Sequence, residues 1–239
     1  MKIALIGYGK MGHEIENVAI ARGHEVVITI DKDNINDFTS ENLAKADVAI
    51  EFSTPVTAFQ NIMNCLKAGV PVVVGTTGWL DKLDEVKKVL SKSNSAMFYA
   101  SNYSVGVNLY FRVTKILSNY INKVKGYTPS IVEIHHTQKL DAPSGTAITL
   151  AQIVSESIDE IKGWTLLPDK DSTKISIEAK REGDVPGIHS ITFDSEQDEI
   201  ILTHRAKSRK GFAVGAVMAA EFIVDKKGYF TMDDLLTIK

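Results

Sequence analysis

Cysteine is almost absent from this sequence: Cys65 is the only one in 239 residues. A single thiol excludes an internal disulfide and any zinc site built from several thiolates, and the apolar helical pattern around Cys65 predicts a small buried side chain. No apolar run approaches the roughly 18 residues that a membrane-spanning helix needs, and no cleavable leader precedes the first predicted strand. The sequence therefore predicts a cytoplasmic protein that does not enter a membrane.

A large excess of charge of either sign is also missing. The 27 Lys and Arg residues and 30 Asp and Glu residues give a formal net charge of -3, so the chain as a whole has no attraction for nucleic acid or an anionic membrane. Internal repeats, low-complexity segments and metal-ligand patterns are not found either. We expect no metal requirement, and any anion site must be local.

The length allows two domains, each with its own core. Strands and helices alternate regularly up to about Ser104, which predicts an N-terminal Rossmann-type, doubly wound parallel sheet formed by residues 1–104 with 210–239. Residues 105–209 are predicted to form a second α+β domain with a mixed or antiparallel sheet, which binds substrate and mediates oligomerisation. The predicted strands are Lys2–Ile6, Glu25–Ile30, Ala46–Glu51, Val70–Val74 and Ala96–Tyr99, then a strand opening at Ile131, then Lys174–Lys180, Gly187–Asp194 and Glu199–Lys207. Hairpin turns are predicted at 182–184 and 196–198.

A glycine-rich turn follows the first predicted strand. The run Gly7-Tyr8-Gly9-Lys10-Met11-Gly12 lies between that strand and a helix, the context in which G-x-G-x-x-G indicates dinucleotide binding. Asp31 ends the second strand nineteen residues after Gly12, where such folds place an acceptor for the adenosine ribose. Lys32 could instead pair with a 2′-phosphate, so we expect both NADH and NADPH to be used.

Two later turns are predicted at the same edge of the sheet. They follow the third and fourth strands at Phe52-Ser53-Thr54 and Gly75-Thr76-Thr77. Because ligands bind at the carboxyl ends of parallel strands, Phe52, Thr54, Gly75 and Thr77 are candidates to contact the ribose and nicotinamide.

Three potentially cationic side chains precede a predicted helix start in the middle of the chain. His135, His136 and Lys139 follow the β-branched strand residues 131–134, and Ser144-Gly145-Thr146 then offers an N-cap and free backbone N–H groups. Together they predict an anion site, and a histidine could also transfer a proton near neutral pH. The alternative interpretation is a solvated turn.

These motifs resemble the 4-hydroxy-tetrahydrodipicolinate reductase (dihydrodipicolinate reductase) family over nearly the whole chain. The most specific string is H-H-x-x-K-x-D-A-P-S-G-T-A, beginning at His135, and the likeness continues through Arg181-x-Gly183, Pro186-Gly187-x-His189 and the run from His204 to Ala216. The resemblance implies reduction of a cyclic dicarboxylate by NADH or NADPH in the diaminopimelate pathway of lysine biosynthesis.

The resemblance also implies residue roles. His135 and Lys139 would be catalytic. His136, Lys139, Gly145 and Thr146 would bind the substrate carboxylates. The cofactor residues would be Gly7, Tyr8, Gly9, Lys10, Met11, Gly12, Asp31, Lys32, Gly75, Thr76, Thr77, Ala100, Ser101, Asn102 and Tyr103. Two departures are a shortened segment between Asp31 and Ala46, which lacks a full crossover helix, and Lys32 in place of an arginine. Arg209, in a short basic run, is a weaker candidate for the dicarboxylate.

Other functions remain open at this point. Another two-domain nicotinamide dehydrogenase, of the diaminopimelate or sugar type, would explain the glycine turn but not the paired histidines. A non-catalytic nucleotide-sensing regulator would have no use for a proton donor. The apolar alternation of Ile175, Ile177, Ala179, Ile191 and Phe193 predicts a buried sheet face, and we expect oligomerisation through that sheet, as a homotetramer.

Overall fold

The computed structural model describes residues 1–208 and 210–237. Its strands are β1 (Lys2–Ile6), β2 (Glu25–Ile30), β3 (Val48–Glu51), β4 (Val72–Val74), β5 (Ala96–Tyr99), β6 (Thr128–His135), β7 (Trp164–Leu166), β8 (Ile175–Arg181), β9 (Ile188–Asp194), β10 (Glu199–Arg205) and β11 (Gly228–Phe230). Its α-helices are α1 (Lys10–Ala21), α2 (Ser40–Leu43), α3 (Pro55–Lys67), α4 (Leu83–Leu90), α5 (Val105–Val124), α6 (Gly145–Ser157), α7 (Lys210–Ile223) and α8 (Met232–Leu235). Arg209, the weaker candidate for the dicarboxylate, lies outside the described residues.

Two compact units make up the chain. The first contains Met1–Val105 and the residues from Lys210 onward, and the second contains the residues between them. Among the described residues, no helix combines the length and the hydropathy of a membrane span.

The first unit is a six-stranded parallel sheet in the order β11-β5-β4-β3-β1-β2, with helices on both faces. Ile3 and Leu5 of β1 belong to the cluster that contains α1 and α7, whereas Ala4 and Ile6 belong to the cluster that contains α3 and α4. Burial on both faces explains why β1 is a continuous apolar run. The predicted Rossmann-type sheet is confirmed.

Two strands of this sheet begin later than predicted. The backbone N–H of Ala46 donates to the carbonyl of Leu43, and that of Val70 donates to the carbonyl of Cys65. Both residues therefore close helical turns, so β3 begins at Val48 and β4 at Val72. The segment that follows Asp31 contains a 3₁₀ turn, Lys32–Asp37, and the four-residue α2 instead of a full crossover helix.

The second unit is a five-stranded mixed sheet in the order β10-β9-β6-β8-β7. Its central strand, β6, pairs parallel with β8 and antiparallel with β9. The hairpin predicted at 182–184 is therefore wrong, because β8 and β9 lie on opposite sides of β6. Strand β10 ends at Arg205, two residues before the predicted end. The turn at 196–198 does join an antiparallel pair, β9 and β10.

One face of this second sheet packs against α5 and α6. Ile175, Ile177, Ile191 and Phe193 are fully buried in a cluster that also contains Leu150 and other residues of α6. The apolar alternation that suggested an oligomer interface is thus covered within the unit by its own helices. Residues of β6 on the opposite face, such as Val132 and Ile134, are only partly buried.

Candidate active site

A cavity of about 420 Å³ lies at the carboxyl ends of β1, β2 and β3 in the first unit. Its lining includes the predicted cofactor residues Gly7, Tyr8, Gly9, Asp31 and Lys32. It also includes Ile35, Phe52, Ser53, Thr54, Thr57 and Asn61. This is the edge of a parallel sheet at which dinucleotides bind, so the first unit has a suitable nucleotide site.

The three glycines of the fingerprint have different surroundings. Gly7 has φ +89°, and a Cβ there would lie 2.1 Å from the carbonyl oxygen of Phe52. A Cβ at Gly12 would lie 2.6 Å from the carbonyl oxygen of Gly7, whereas a Cβ at Gly9 would meet nothing within 4 Å. Gly7 and Gly12 therefore permit the tight turn and the packing of helix on strand, and Gly9 leaves space beside the backbone that a pyrophosphate could occupy.

Helix α1 begins directly after Gly9 and presents a site for an anion. Among the described residues, no side chain caps its N-terminus, and its first turn has no acidic residue. The first N–H groups of a helix lack intrahelical partners and carry partial positive charge. Lys10, Met11 and Gly12 form this first turn, which suits a phosphate.

Asp31 is held at the end of β2 by a local turn. Its Oδ1 accepts a hydrogen bond from the backbone N–H of Lys32 (2.8 Å), and its own N–H donates to Oδ1 of Asn34 (2.7 Å). Both Asp31 and Lys32 are exposed at the cavity. A carboxylate and an ammonium are therefore available where the adenosine ribose is expected.

The other predicted cofactor residues follow β4 and β5 but do not line the cavity. A Cβ at Gly75 would lie 2.2 Å from the Phe52 ring, and Oγ1 of Thr76 accepts from the backbone N–H of Ser53 (2.8 Å). Tyr103 is 2% exposed, and its hydroxyl donates to the carbonyl of Val74 (2.8 Å). The side chain of Tyr103 therefore belongs to the core. Thr77 and Ser101 are exposed, and Ala100 and Asn102 are partly buried.

Sequence reasoning missed Glu51, which lies beneath this cavity. Glu51 is fully buried at the end of β3, and its Oε1 accepts from the backbone N–H of Ser53 (3.2 Å) and from Nδ2 of Asn61 (3.4 Å). Its Oε2 has no hydrogen-bond partner among the described residues. Burial raises the pKa of the Glu51 carboxyl, against the opposing effect of the hydrogen bonds it accepts.

The histidine and lysine motif forms a second site, within the second unit. His135 is the last residue of β6 and is 7% exposed, because alternate residues of this strand face the core. His136 and Lys139 follow in the loop, and α6 begins at Gly145. Ser144 is the N-cap: its Oγ accepts from the N–H of Ala147 (3.3 Å). The structure thus joins the motif residues to a capped helix start, as the sequence predicts.

Lys139 forms an ion pair within its own loop. Its Nζ lies 2.7 Å from Oδ1 and 2.8 Å from Oδ2 of Asp141, and this contact lowers the pKa of the Asp141 carboxyl. Asp141 is largely exposed, with 62% of its side-chain surface accessible. An ammonium has three donors, so Lys139 can share its protons with an incoming carboxylate or exchange Asp141 for it.

Behind the motif lies a buried carboxylate that sequence reasoning also missed. Glu133 is fully buried, and its two oxygens each lie 3.1 Å from the backbone N of Ser144, which donates to them. Arg181 donates to Oε1 of Glu133 at 3.4 Å. The signal was the spacing: Glu133 lies two residues before His135, so both point to the same face of the strand.

Two histidines face this carboxylate from different strands. Nδ1 of His135 lies 3.5 Å and Nε2 of His189 lies 3.7 Å from Oε2 of Glu133. Burial lowers the pKa of His135 while Glu133 raises it, and burial lowers the pKa of His189 to about 3. His189 is therefore neutral near pH 7, and its Nε2 lies 3.0 Å from Oγ of Ser144.

The possible ligand atoms of Glu133, His135 and His189 lie within 4.8 Å of one another, which is a spacing that a metal ion could use. However, the carboxylate already accepts from Ser144 and from the guanidinium of Arg181. A nearby guanidinium also repels a dication, so the local chemistry does not favour a metal here.

Comparison with known proteins decides the family. The family model described as dihydrodipicolinate reductase, N-terminus, matches residues 1–103, and the one described as dihydrodipicolinate reductase, C-terminus, matches residues 106–236. The chain belongs to the dihydrodipicolinate reductase family. The resemblance inferred from the motifs is confirmed.

Relatives of the dihydrodipicolinate reductase family match along nearly their whole length. The 4-hydroxy-tetrahydrodipicolinate reductase of Christiangramia forsetii is 49% identical over 99% of this chain and 98% of the relative. The reductase of the same name from Staphylococcus carnosus is 36% identical over 98% of this chain and 99% of the relative. Reductases of this family use nicotinamide cofactors, and the first sheet has the Rossmann-like arrangement that suits them.

Solved structures agree with this family. The dipicolinate-bound dihydrodipicolinate reductase of Paenisporosarcina sp. TG-14 superimposes with a TM-score of 0.83 at 25% identity, covering 99% of both chains. A probable dehydrogenase from Thermotoga maritima has a TM-score of 0.59 at 12% identity, covering 98% of this chain and 92% of that one. The second likeness concerns the fold alone.

Proposed function

We propose that this protein catalyses the NAD(P)H-dependent reduction of 4-hydroxy-tetrahydrodipicolinate, which forms dihydrodipicolinate by loss of water, to tetrahydrodipicolinate, in the diaminopimelate pathway of lysine biosynthesis. The observation that carries the proposal is the position of His135, His136 and Lys139 before the capped start of α6, in a chain that matches both halves of the family. A cyclic dicarboxylate needs cations and N–H donors for its carboxylates and a proton for the reduced ring. The second unit provides both.

The substrate carboxylates are assigned to His136, Lys139 and the backbone N–H groups of Gly145 and Thr146. Gly145 is exposed and Thr146 partly buried, and the N–H groups at a helix start bind anions. The Lys139 ammonium adds a full positive charge to the same loop. Its present partner, Asp141, is a largely exposed carboxylate, which a substrate carboxylate can replace.

Proton transfer is assigned to His135, with Lys139 as a second proton donor. His135 is mostly buried and lies near the cations of this loop. The coenzyme would supply a hydride, and the His135 imidazolium would donate a proton to the negative charge that develops on the substrate ring.

The coenzyme is assigned to the first unit. The backbone from Gly7 to Gly12 binds the pyrophosphate, and Asp31 with Lys32 binds the adenosine ribose. The turns at Gly75–Thr77 and Ala100–Tyr103 contact the nicotinamide half, by backbone groups where the side chain is buried, as at Tyr103. Lys32 is a point charge without the bidentate fork of arginine, so we propose that NADH and NADPH are both accepted.

The rival functions have less support. A diaminopimelate or sugar dehydrogenase shares the Rossmann-type unit but does not require the His135 to Thr146 motif. A nucleotide-sensing regulator would not need that motif either. Family models that match both units favour the reductase.

An absorbance assay tests the proposal. The purified protein is mixed with NADH and with substrate freshly made by condensing pyruvate and aspartate semialdehyde, and oxidation is followed at the coenzyme's absorbance band. The reductase predicts rapid oxidation that depends on both condensation partners. No oxidation of NADH in this mixture, together with reduction of NAD(P)⁺ by diaminopimelate or a sugar, would favour a rival dehydrogenase. No coenzyme turnover in any mixture would favour a regulator.

For the assembly, we propose a homotetramer formed through the face of the second sheet that α6 leaves uncovered. Val132, Ile134 and Ile201 lie on that face, and Ile201 is 51% exposed. Light scattering of Ile201→Glu should show smaller particles than the wild type. A matched variant at an exposed residue of α5, Ile116→Glu, should remain tetrameric. If Ile116→Glu dissociates instead, α5 provides the interface.

A further inference from the structure

We propose that Glu133 is a positioning residue for the reductase: its buried carboxylate fixes the start of α6 and orients the His135 imidazole for proton transfer. The inference rests on the proposed function, because it concerns how that site is held in place. Glu133 does not itself reach the surface and so has no direct role in binding ligand.

The first observation in support is that the Glu133 carboxylate is fully buried and accepts hydrogen bonds at both oxygens. A buried carboxylate is costly unless donors compensate it. Here the backbone N–H of Ser144 donates to both oxygens and Arg181 faces Oε1. This set of contacts joins β6, β8 and the start of α6, which are far apart in sequence.

Arg181 extends this support to the substrate loop. Its Nε donates to the carbonyl of Lys139 (3.2 Å) and its Nη2 to the carbonyl of Asp141 (2.6 Å). The guanidinium that compensates Glu133 therefore also holds the loop between His136 and Ser144. Removing the Glu133 charge would leave Arg181 without its buried counter-ion and loosen the loop.

The second support is the geometry at His135. Oε2 of Glu133 lies 3.5 Å from Nδ1 of His135, which makes no hydrogen bond within the described part of the chain. The nearby negative charge favours a proton on Nδ1 and leaves Nε2 to exchange a proton with a ligand. Gly187 makes room at that nitrogen: a Cβ there would lie 3.1 Å from Nε2. A carboxylate that sets the tautomer of a catalytic imidazole acts in the same way as the aspartate of a Ser-His-Asp triad.

Several charged or titratable groups face His135 and set its proton affinity together. Glu133 raises the pKa of His135, while burial and the neighbouring cations lower it. The facing groups are Glu133 on β6, His136 and Lys139 in the loop, Arg181 on β8 and His189 on β9. Glu133 is the anion among them, so its neutralisation should lower the pKa of His135 further.

The test compares Glu133→Gln with a matched variant, Glu160→Gln. Glu160 lies in the same unit, after the end of α6, and is 62% exposed in an ion pair with Lys125. For Glu133→Gln we expect kcat to fall about tenfold or more and the activity limb that requires protonated His135 to move to lower pH. Glu133→Asp, which keeps the charge, should recover part of the loss, and Glu160→Gln should match the wild type.

NMR of ¹⁵N-labelled histidine gives a readout that does not depend on activity, and its measurement on the wild type needs no variant. In the wild type, neutral His135 should carry its proton on Nδ1, and its pKa should fall in Glu133→Gln. An Nε2–H tautomer in the wild type, or an unchanged pKa and pH profile in a folded Glu133→Gln, would overturn the proposal. An inactive wild type would refute the proposed function, while the tautomer would still decide the role of Glu133.

Discussion

Replacing Gly9 with aspartate should weaken nucleotide binding roughly a hundredfold while leaving the fold intact. Gly9 is the N-cap of α1, with φ -82° and ψ -156°, an extended conformation that any residue can adopt. A Cβ there would meet no atom within 4 Å. Aspartate is also among the best N-cap residues, and glycine is only a few tenths of a kcal/mol worse. We therefore expect the melting temperature of Gly9→Asp to equal or slightly exceed that of the wild type.

The effect on the coenzyme should be large because the new carboxylate would occupy the anion site. Two unit charges about 4 Å apart interact by about 4 kcal/mol at an effective dielectric constant of about 20. Salt screening reduces this near the surface, yet about 3 kcal/mol would still weaken binding roughly a hundredfold, since each 1.4 kcal/mol is about tenfold. The carboxylate would also accept hydrogen bonds from the backbone N–H groups that the phosphates need.

Calorimetric titration with NADH measures the change, and Gly9→Asn is the matched control. Asparagine has the size of aspartate without its charge, so it should weaken binding much less. If Gly9→Asp binds NADH as tightly as the wild type, the start of α1 is not the pyrophosphate site. If Gly9→Asn loses as much affinity as Gly9→Asp, volume and not charge is responsible.

Three further outcomes are expected. His135→Ala and Lys139→Ala should each lose about a hundredfold in kcat; an unchanged kcat for His135→Ala would show that another group delivers the proton. Thermal unfolding should show Glu51→Gln gaining stability over the wild type at about pH 8 but not at about pH 4. Because the pKa of the Glu51 carboxyl is raised in the folded protein, the folded state loses stability as the pH rises through that pKa. Each kcal/mol of stability corresponds to a change of about 2–4 °C in melting temperature. A gain that does not depend on pH would contradict this. Steady-state kinetics should show turnover with both NADH and NADPH, and inactivity of either at saturation would contradict the roles of Asp31 and Lys32.

Local signals were sufficient to predict strands β1 to β5 of the first unit, but not β11, which joins the same sheet beside β5. The glycine fingerprint, the continuous apolar strands and the Ser144 N-cap all depend on residues close together in the chain. The structure places Gly7, Tyr8, Gly9, Asp31 and Lys32 around one cavity. Their roles in binding coenzyme stay predictions.

Contacts between distant segments could not be predicted in this way. The turn at 182–184 has the composition of a hairpin, but β6 inserts between β8 and β9. The parallel register that places His135 opposite Arg181 brings the guanidinium to Glu133. The spacing of two places Glu133 on the same face of the strand as His135. Neither partner of the ion pair has a local sequence signal for the other, so the contact of Glu133 with Arg181 became visible only in the fold.

The same reason limits what the apolar pattern can predict. Ile175, Ile177, Ile191 and Phe193 are buried as predicted, whereas Ala179 is only partly buried. Alternation does not say what covers the face. In the structure α5 and α6 provide that cover within the unit. An interface on the uncovered face must therefore use a different set of side chains, including Ile201.

Isotope transfer tests the proposed reaction most directly. The protein is incubated with freshly formed 4-hydroxy-tetrahydrodipicolinate and NADH that carries deuterium at both C4 positions of the nicotinamide, and the product is analysed by mass spectrometry. Direct hydride transfer predicts tetrahydrodipicolinate that contains one deuterium. Product without deuterium, or no product while the coenzyme binds normally, would contradict it.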